Sequence, residues 1–336
     1  MFKRRLGRSD LEVSAMGLGC WAMGGPWDWL EADGSQEPVG WGQVDDAESI
    51  RAIHYALESG VNFFDTAANY GCGHSERILS RAIAGRRDQV ILATKFGYIV
   101  DEEKRIVSET DHVVPRIRGE CEDSLRRLQT DYIDLYQFHV NEYPAEKAAD
   151  VRDVLETLVE EGKIRWYGWS TDNPEGARVF AQGAHCTAIQ HAMNMSYGMP
   201  QILNMDQILN FCEEHDLASI NRTPLGMGML TGKFKTHTTF PENDVRHNWD
   251  LRAERPAQYL ERAKSVRKMF AEVGDPRTLT QIALAWLWTR SDRTIPIPGF
   301  KTVAQVKENI QAMEFGLLSH EQMKKIDEIY ERAPVI

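Results

Sequence analysis

Eight short apolar runs, most of them closed by a polar residue, alternate along this chain with stretches of helical periodicity. That alternation limits the fold more than any other feature. The runs are "SAMGLG" (14–19), "VNFFDT" (61–66), "QVILATK" (89–95), "YIDLYQFH" (132–139), "IRWYGWS" (164–170), "CTAIQ" (186–190), "LASIN" (217–221) and "RTIPIPG" (293–299). Few show the strict alternation of a strand with one wet face. Runs of this kind are buried on both faces, as in a parallel sheet covered by helices.

The helical stretches fall between them, at 46–60, 75–85, 113–129, 150–163, 173–183, 205–216, 278–290 and 304–315. In the first, Ile50, Ile53 and Leu57 share a face, Asp45 or Asp46 serves as the N-cap, and Gly60 ends the helix. Ser75 is expected to cap the second, with Glu76 in its first turn. Two more helices, near 257–272 and 319–331, lie outside the alternation. Eight strands and about eight helices predict an α/β fold, a closed (β/α)8 TIM barrel. An open doubly wound sheet competes, but no GxGxxG follows the first strand. "KRRLGRSDLEV" reads as a hairpin turning near Arg8 to Asp10, placed to plug the barrel floor. No linker divides the chain, so residues 1–336 are expected to form a single domain. Stretches 21–44 and 235–256 read as long irregular loops over the C-terminal mouth. The first of them carries Trp21, Trp27, Trp29 and Trp41.

Composition narrows the function. The formal net charge is -11, which argues against nucleic acid as a partner, since a phosphate backbone wants a basic face. The five cysteines are scattered without a CxxC pair, so neither a disulfide framework nor a zinc cluster is expected. A reducing, cytoplasmic setting fits. No apolar run follows the basic N-terminus, no run is long enough to span a membrane, and nothing marks an obligate protein partner.

A barrel draws catalytic groups from the C-terminal ends of its strands. Read that way, the second strand delivers Asp65 and Tyr70, the third Lys95 and the fourth His139. Each alone is an ordinary polar strand end. Four on adjacent strands of one mouth form a site. A buried lysine needs a counter-charge, which Asp65 supplies. A lysine beside a phenol favours the phenolate, so Lys95 is expected to lower the Tyr70 pKa. Tyr70 then donates a proton to a carbonyl oxygen that His139 orients. Such a site needs no metal. It does need a hydride donor, because nothing beside it is a persuasive covalent nucleophile. Cys72 and His74 read as loop residues.

"FFDTAANYGCGHSE", "ILATKFG" and "YIDLYQFH" resemble signature segments of the aldo-keto reductase family. The likeness extends through "GWS" (168–170), Gln190, "PLGMGMLTGKF" (224–234) and "IPGFKTVAQVKENI" (297–310), nearly the whole chain. It lies nearer the bacterial and channel-subunit-like branches than the classical mammalian members. The resemblance implies NAD(P)H-dependent, reversible reduction of an aldehyde or ketone, a small-molecule carbonyl substrate. It places the nicotinamide carboxamide on Ser170 and Gln190. The pyrophosphate would lie along Thr223, Leu225 and Met227, and the adenine end on Gly299, Phe300, Lys301, Gln305 and Asn309. Lys301 is suited to a 2′-phosphate, which favours NADP(H) and leaves NAD(H) possible. Gln305 stands where the family often has an arginine.

Two positions depart from the family pattern. Thr171 follows Ser170 where asparagine is common, and Asn173 is the nearest residue able to compensate. Arg222 occupies the place of an aromatic residue that stacks on the nicotinamide. A guanidinium there disfavours the oxidised, positive ring, or else pairs with a phosphate, a substrate anion or a local acid. Trp21, Trp27 and Asn194 are the leading candidates for the substrate pocket, with His191 and Trp249 behind them. One alternative keeps the cofactor but makes the protein a redox-sensing or regulatory subunit with slow turnover. Another is a non-redox barrel enzyme using Lys95 as a Schiff base, which an aspartate counter-charge opposes.

Overall fold

A computed structural model describes residues 2–196 and 204–331. All eight expected runs form strands of one parallel sheet. They are β1 (Leu18–Gly19), β2 (Phe63–Asp65), β3 (Ile91–Phe96), β4 (Ile133–Phe138), β5 (Ile164–Ser170), β6 (Cys186–Ala192), β7 (Ala218–Arg222) and β8 (Thr294–Pro296). They pair in sequence order from β1 to β8. The ends meet as well: Gly17 N donates to Pro296 O at 3.0 Å and Gly19 N to Pro298 O at 3.1 Å. These bonds, with a bridge between Gly19 and Gly299, close the TIM barrel.

The helices α1 (Asp46–Glu58), α2 (His74–Ile83), α3 (Ile117–Leu128), α4 (Ala148–Glu160), α5 (Pro174–Phe180) and α6 (Met205–Glu214) follow strands one to six. After β7 come α7 (Glu254–Glu272) and α8 (Leu279–Arg290), and after β8 come α9 (Val303–Gln311) and α10 (His320–Ile329). Asp45 caps α1, accepting from the backbone of Ala47 and Glu48. The expected cap at Ser75 is not formed. The N-cap of α2 is Gly73, two residues earlier, and the Ser75 hydroxyl donates to Cys20 O and pairs with Thr66 Oγ1 inside the barrel wall.

Lys3–Arg5 and Glu12–Ser14 form the expected antiparallel hairpin. Its Leu6, Leu11 and Val13 pack into one cluster with Phe63, Ala93, Leu135, Ala188, Ala218, Ile220 and Ile295, the inward side chains of six strands. The hairpin is the floor plug. Side chains on a strand repeat with period two, so the next inward layer toward the mouth follows directly. Two residues beyond Phe63, Ala93, Leu135, Ala188 and Ile220 stand Asp65, Lys95, Gln137, Gln190 and Arg222.

Stretch 21–44 is more ordered than expected. Asp28–Leu30 and Gln36–Pro38 form a hairpin, and Asp28–Leu30 pairs in parallel with Ile106–Ser108 from a second hairpin, Ile99–Asp101 with Ile106–Ser108. The result is a four-stranded sheet over the mouth. Its pairing joins Asp28 to Ile106 and Trp29 to Val107, a non-local contact that period and propensity do not reveal. The other long stretch, 235–256, is mostly turns and attaches to the first: Val245 N donates to Gly40 O at 2.7 Å and Gly42 N to Asn243 O at 3.1 Å.

Candidate active site

Asp65, Tyr70 and Lys95 converge at the mouth. Lys95 Nζ donates to Asp65 Oδ1 at 2.5 Å, to Thr66 O at 2.8 Å and to Tyr70 OH at 3.1 Å. An ammonium has three protons, and all three are used. The second carboxylate oxygen of Asp65 accepts from Gln137 Nε2 at 2.9 Å and Gln190 Nε2 at 2.8 Å. Burial works against the Lys95 charge, but Asp65 and the Tyr70 oxygen outweigh it and hold the pKa above its ordinary value. The lysine is a cation, which removes the Schiff-base reading.

The expected fall in the Tyr70 pKa is not found. Burial is the larger effect and leaves the phenol above its ordinary value, although Lys95 pulls it down. The sequence showed the neighbouring charge and could not show the depth of burial. In consequence Tyr70 carries its proton at neutral pH, as a donor must.

The His139 ring meets the Tyr70 ring edge to face, with centroids 5.8 Å apart. Burial, then Lys95 and Arg222, pull its pKa well below the ordinary value, so the imidazole is neutral. Its Nδ1 is buried without a partner. Trp21 stacks alongside Tyr70 at 6.0 Å and 20°, with Trp41 edge-on behind it. Trp27 is buried in the same apolar cluster as Tyr70. Tyr98 leans on the His139 ring at 5.5 Å, donates to His139 O and meets Trp29 edge to face. The Tyr70 phenol therefore packs against Trp21 and against His139, and Tyr98 packs on His139 in turn.

Sequence reading missed Gln137 and Tyr98. Gln137 had a usable signal, since it lies two residues before His139 and therefore shares its face. Cys72 is buried beside Tyr70, and burial pushes its thiol up to about 12, so it is no nucleophile here.

Around the rim, Ser170 and Gln190 are buried and stand in register on β5 and β6. Gln190 spends its amide nitrogen on Asp65, leaving Oε1 as acceptor. Thr171 donates to Asn141 O, and Asn173 spends its side-chain oxygen on the cap of α5. Arg222 pairs with Asp172, whose other oxygen accepts from Ala192 N at 2.9 Å. This is the local-acid alternative. Asn194 donates to Thr223 O at 3.0 Å and accepts from Ser196, so its amide shapes the loop after β7 instead of lining the pocket. Trp249 packs on Phe240 in a separate cluster, and His191 bonds Ser219 Oγ at 2.7 Å, so neither joins the aromatic wall around Tyr70.

The expected cofactor segments follow β7 and β8. Thr223 and Met227 have φ of 53° and 52°, and Gly226 and Gly228 of 54° and 100°, so this turn is built on left-handed backbone. Lys301 donates to Trp41 O, and its backbone N–H donates to Gln305 Oε1 at 2.7 Å. Phe300 is buried, Gly299 is open, and Asn309 Nδ2 is buried without a partner. An orphan amide donor, an open glycine and a lysine on one segment suit a polar, phosphate-bearing ligand. Among the described residues no group of three or more His, Cys, Asp or Glu could hold a metal ion, and no helix is long and apolar enough to cross a membrane.

The barrel, its plug and the Asp65–Lys95–Tyr70–His139 mouth define an oxidoreductase of the aldo-keto type. The family model described as "Aldo/keto reductase family" matches residues 15–331, and the chain belongs to that family. It is 31% identical over 327 residues to the aldo-keto reductase YhdN of Bacillus subtilis, covering 96% of this chain and 92% of that one. Among solved structures it resembles the glycerol dehydrogenase AKR11B4 from Gluconobacter oxydans, at 31% identity and a TM-score of 0.81, covering 99% and 97% of the two chains. An aldo-keto reductase from Klebsiella pneumoniae in complex with NADPH matches at 25% identity and a TM-score of 0.70, over 99% and 97%.

Proposed function

We propose that this protein reduces an aldehyde or ketone to the alcohol, reversibly, with NADPH favoured over NADH. The observation that carries the reading is the Lys95 ammonium shared between Asp65 and the Tyr70 oxygen under an aromatic wall. When bound, the reduced nicotinamide supplies the hydride.

The chain's own residues do the rest. Neutral His139 orients the carbonyl oxygen toward Tyr70. Tyr70 gives that oxygen its proton. Lys95 stabilises the phenolate left behind, and Asp65 keeps Lys95 charged and in place. Ser170 and Gln190 Oε1 are suited to the carboxamide, with Arg222 beside the ring. The turn through Thr223, Leu225 and Met227 is suited to the pyrophosphate. Gly299, Phe300, Lys301, Gln305 and Asn309 would hold the adenosine, with Lys301 on a 2′-phosphate. Trp21 and Trp27 would face the substrate. The NADPH complex of the Klebsiella relative supports the cofactor. The Gluconobacter relative is a glycerol dehydrogenase, which makes small polyols and their carbonyls the first compounds to try. Five free, buried cysteines suit a cytoplasmic setting.

Tyr70→Phe tests the reading. Following reduced-nicotinamide absorbance over a carbonyl and alcohol panel, the variant should lose about 10²–10⁴-fold in turnover while keeping cofactor affinity. Full turnover in the variant would refute it. Tight cofactor retention with negligible turnover in the wild type would favour a redox-sensing subunit.

A further inference from the structure

The sheet over the mouth also reaches the turn that carries Tyr70 indirectly, through Arg105 and the loop at Gly24, a link the mechanism leaves unused. Arg105 lies in the tip of the hairpin 99–108 with φ 58°, left-handed for a residue that carries a Cβ. Its Nε donates to Pro26 O at 2.7 Å and its Nη2 to Gly24 O at 2.8 Å. Its own carbonyl accepts from Asp28 N at 3.0 Å. One guanidinium thus holds two carbonyls of the loop between Trp21 and Trp27.

Gly24 in turn lies flat on the catalytic turn. A Cβ on Gly24 would stand 2.8 Å from the Tyr70 carbonyl carbon and from Gly71 N. A Cβ on Gly71 would stand 2.0 Å from Gly24 O. The two backbones touch, with no room for a side chain between them. The Gly24 carbonyl is therefore gripped by Arg105 while its peptide rests on the one that follows Tyr70.

The hairpin that carries Arg105 is itself anchored. Glu102 accepts from Arg127 Nη1 at 3.1 Å and from Arg77. Arg127 reaches inward to buried Glu76 at 2.5 Å, and Glu76 accepts from Thr94 Oγ1 at 2.6 Å. Thr94 precedes Lys95 on β3. The hairpin is thus tied to the strand that holds the phenol's hydrogen-bond donor.

We propose that Arg105 is a positioning residue for the proton donor. By fixing Gly24 against Tyr70 and Gly71, it sets the phenol within reach of Lys95 Nζ and holds Trp21 alongside. It rests on the reading of Tyr70 as the acid, and it adds a residue from outside the four-residue site. Displacing a reacting group by about 1 Å costs on the order of 10²-fold in rate, so a small slip here is measurable.

The test pairs Arg105→Ala with Lys104→Ala, a control on the same hairpin whose partner Asp101 is at the surface. Arg105→Ala should lower kcat about tenfold or more, with the NADPH dissociation constant within about twofold of wild type. Arg105→Lys should not restore it, because a single ammonium cannot fork to both carbonyls. Amide exchange in residues 66–75 is the arm that needs no activity. It should rise about tenfold in Arg105→Ala and stay at the wild-type level in the control. If Arg105→Ala does not fold, Arg105→Gln, which keeps a donor for one carbonyl, should show an intermediate loss. Unchanged kcat in an active enzyme, or unchanged exchange in 66–75, overturns the proposal. Faster exchange in a protein whose wild type reduces no carbonyl would keep the positioning role and overturn the catalytic reading.

Discussion

Replacing Lys95 with methionine isolates the charge at the centre of the site. The side chains of Lys95 and Asp65 are 0% and 1% exposed. Methionine keeps the stem's bulk and removes the cation. Asp65 then retains two amide donors, Gln137 and Gln190, and loses its ion pair. Removing one partner of a buried pair costs about 3–5 kcal/mol, and the two retained donors put this case near 3. Unfolding entropy of about 2.1 cal/mol/K per residue gives about 0.7 kcal/mol/K for 336 residues. The melting temperature should therefore fall by about 4 °C. Asp65→Asn in the same chain removes the uncompensated carboxylate and should recover most of the loss, because replacing both charges of a buried pair is often neutral. Calorimetry at pH 7 on the wild type, both single variants and the double variant gives the coupling directly. A Lys95→Met protein melting within about 1 °C of wild type, or a double variant no better than it, would show that the pair is not the buried unit described.

Gly71→Ala should be strongly destabilised, by about 3 kcal/mol or more in denaturant unfolding, because Gly71 has φ 60° and a Cβ there would meet Gly24 O at 2.0 Å. His191 is buried with its pKa pulled down to about 4, chiefly by burial and further by Arg222, against the opposing pull of Asp172 and Asp206. A depressed pKa gives stability that is present above the unfolded value and lost on acidification through the folded one. Between pH 7 and pH 5 that loss should be about 2 kcal/mol, and His191→Gln should flatten the slope of stability against pH in this range. Arg222→Ala should raise affinity for the oxidised cofactor more than for the reduced one, by a few-fold because Asp172 already offsets part of the charge; fluorescence titration of both forms yields an unchanged ratio if the redox-bias idea is wrong.

The strands and most helices were legible because each is a local pattern of apolar residues at a fixed period. The site was legible for a related reason. Asp65, Lys95 and His139 all close apolar runs, and in a barrel every such ending points to one mouth. What escaped were effects of distance. The sheet over the mouth joins two hairpins that are far apart in sequence and individually weak. Ser75 carries the right side chain for a cap, but the barrel wall offers its hydroxyl buried partners at Thr66 and Cys20. Asn173 is near enough in sequence to suggest a grip on the carboxamide, yet an asparagine immediately before Pro174 is a helix N-cap by local chemistry alone. The Tyr70 pKa went the other way because a charge can be seen in sequence and a desolvation cannot.

Asp65 is the point where these networks meet. Its two oxygens accept from Lys95 on β3, Gln137 on β4 and Gln190 on β6, so one carboxylate ties three strands to β2 across the barrel interior. Two rim residues, Thr171 and Arg222, do not bond to Asp65. Arg222 is satisfied by Asp172, and Thr171 by Asn141, without reference to the hub. Under the proposed function, substitutions at Thr171 or Arg222 are expected to retune how the cofactor is gripped while the lysine and phenol stay in place. The departures at Thr171 and Arg222 fall at this rim, and the positions that feed Asp65 keep donors that a buried carboxylate requires.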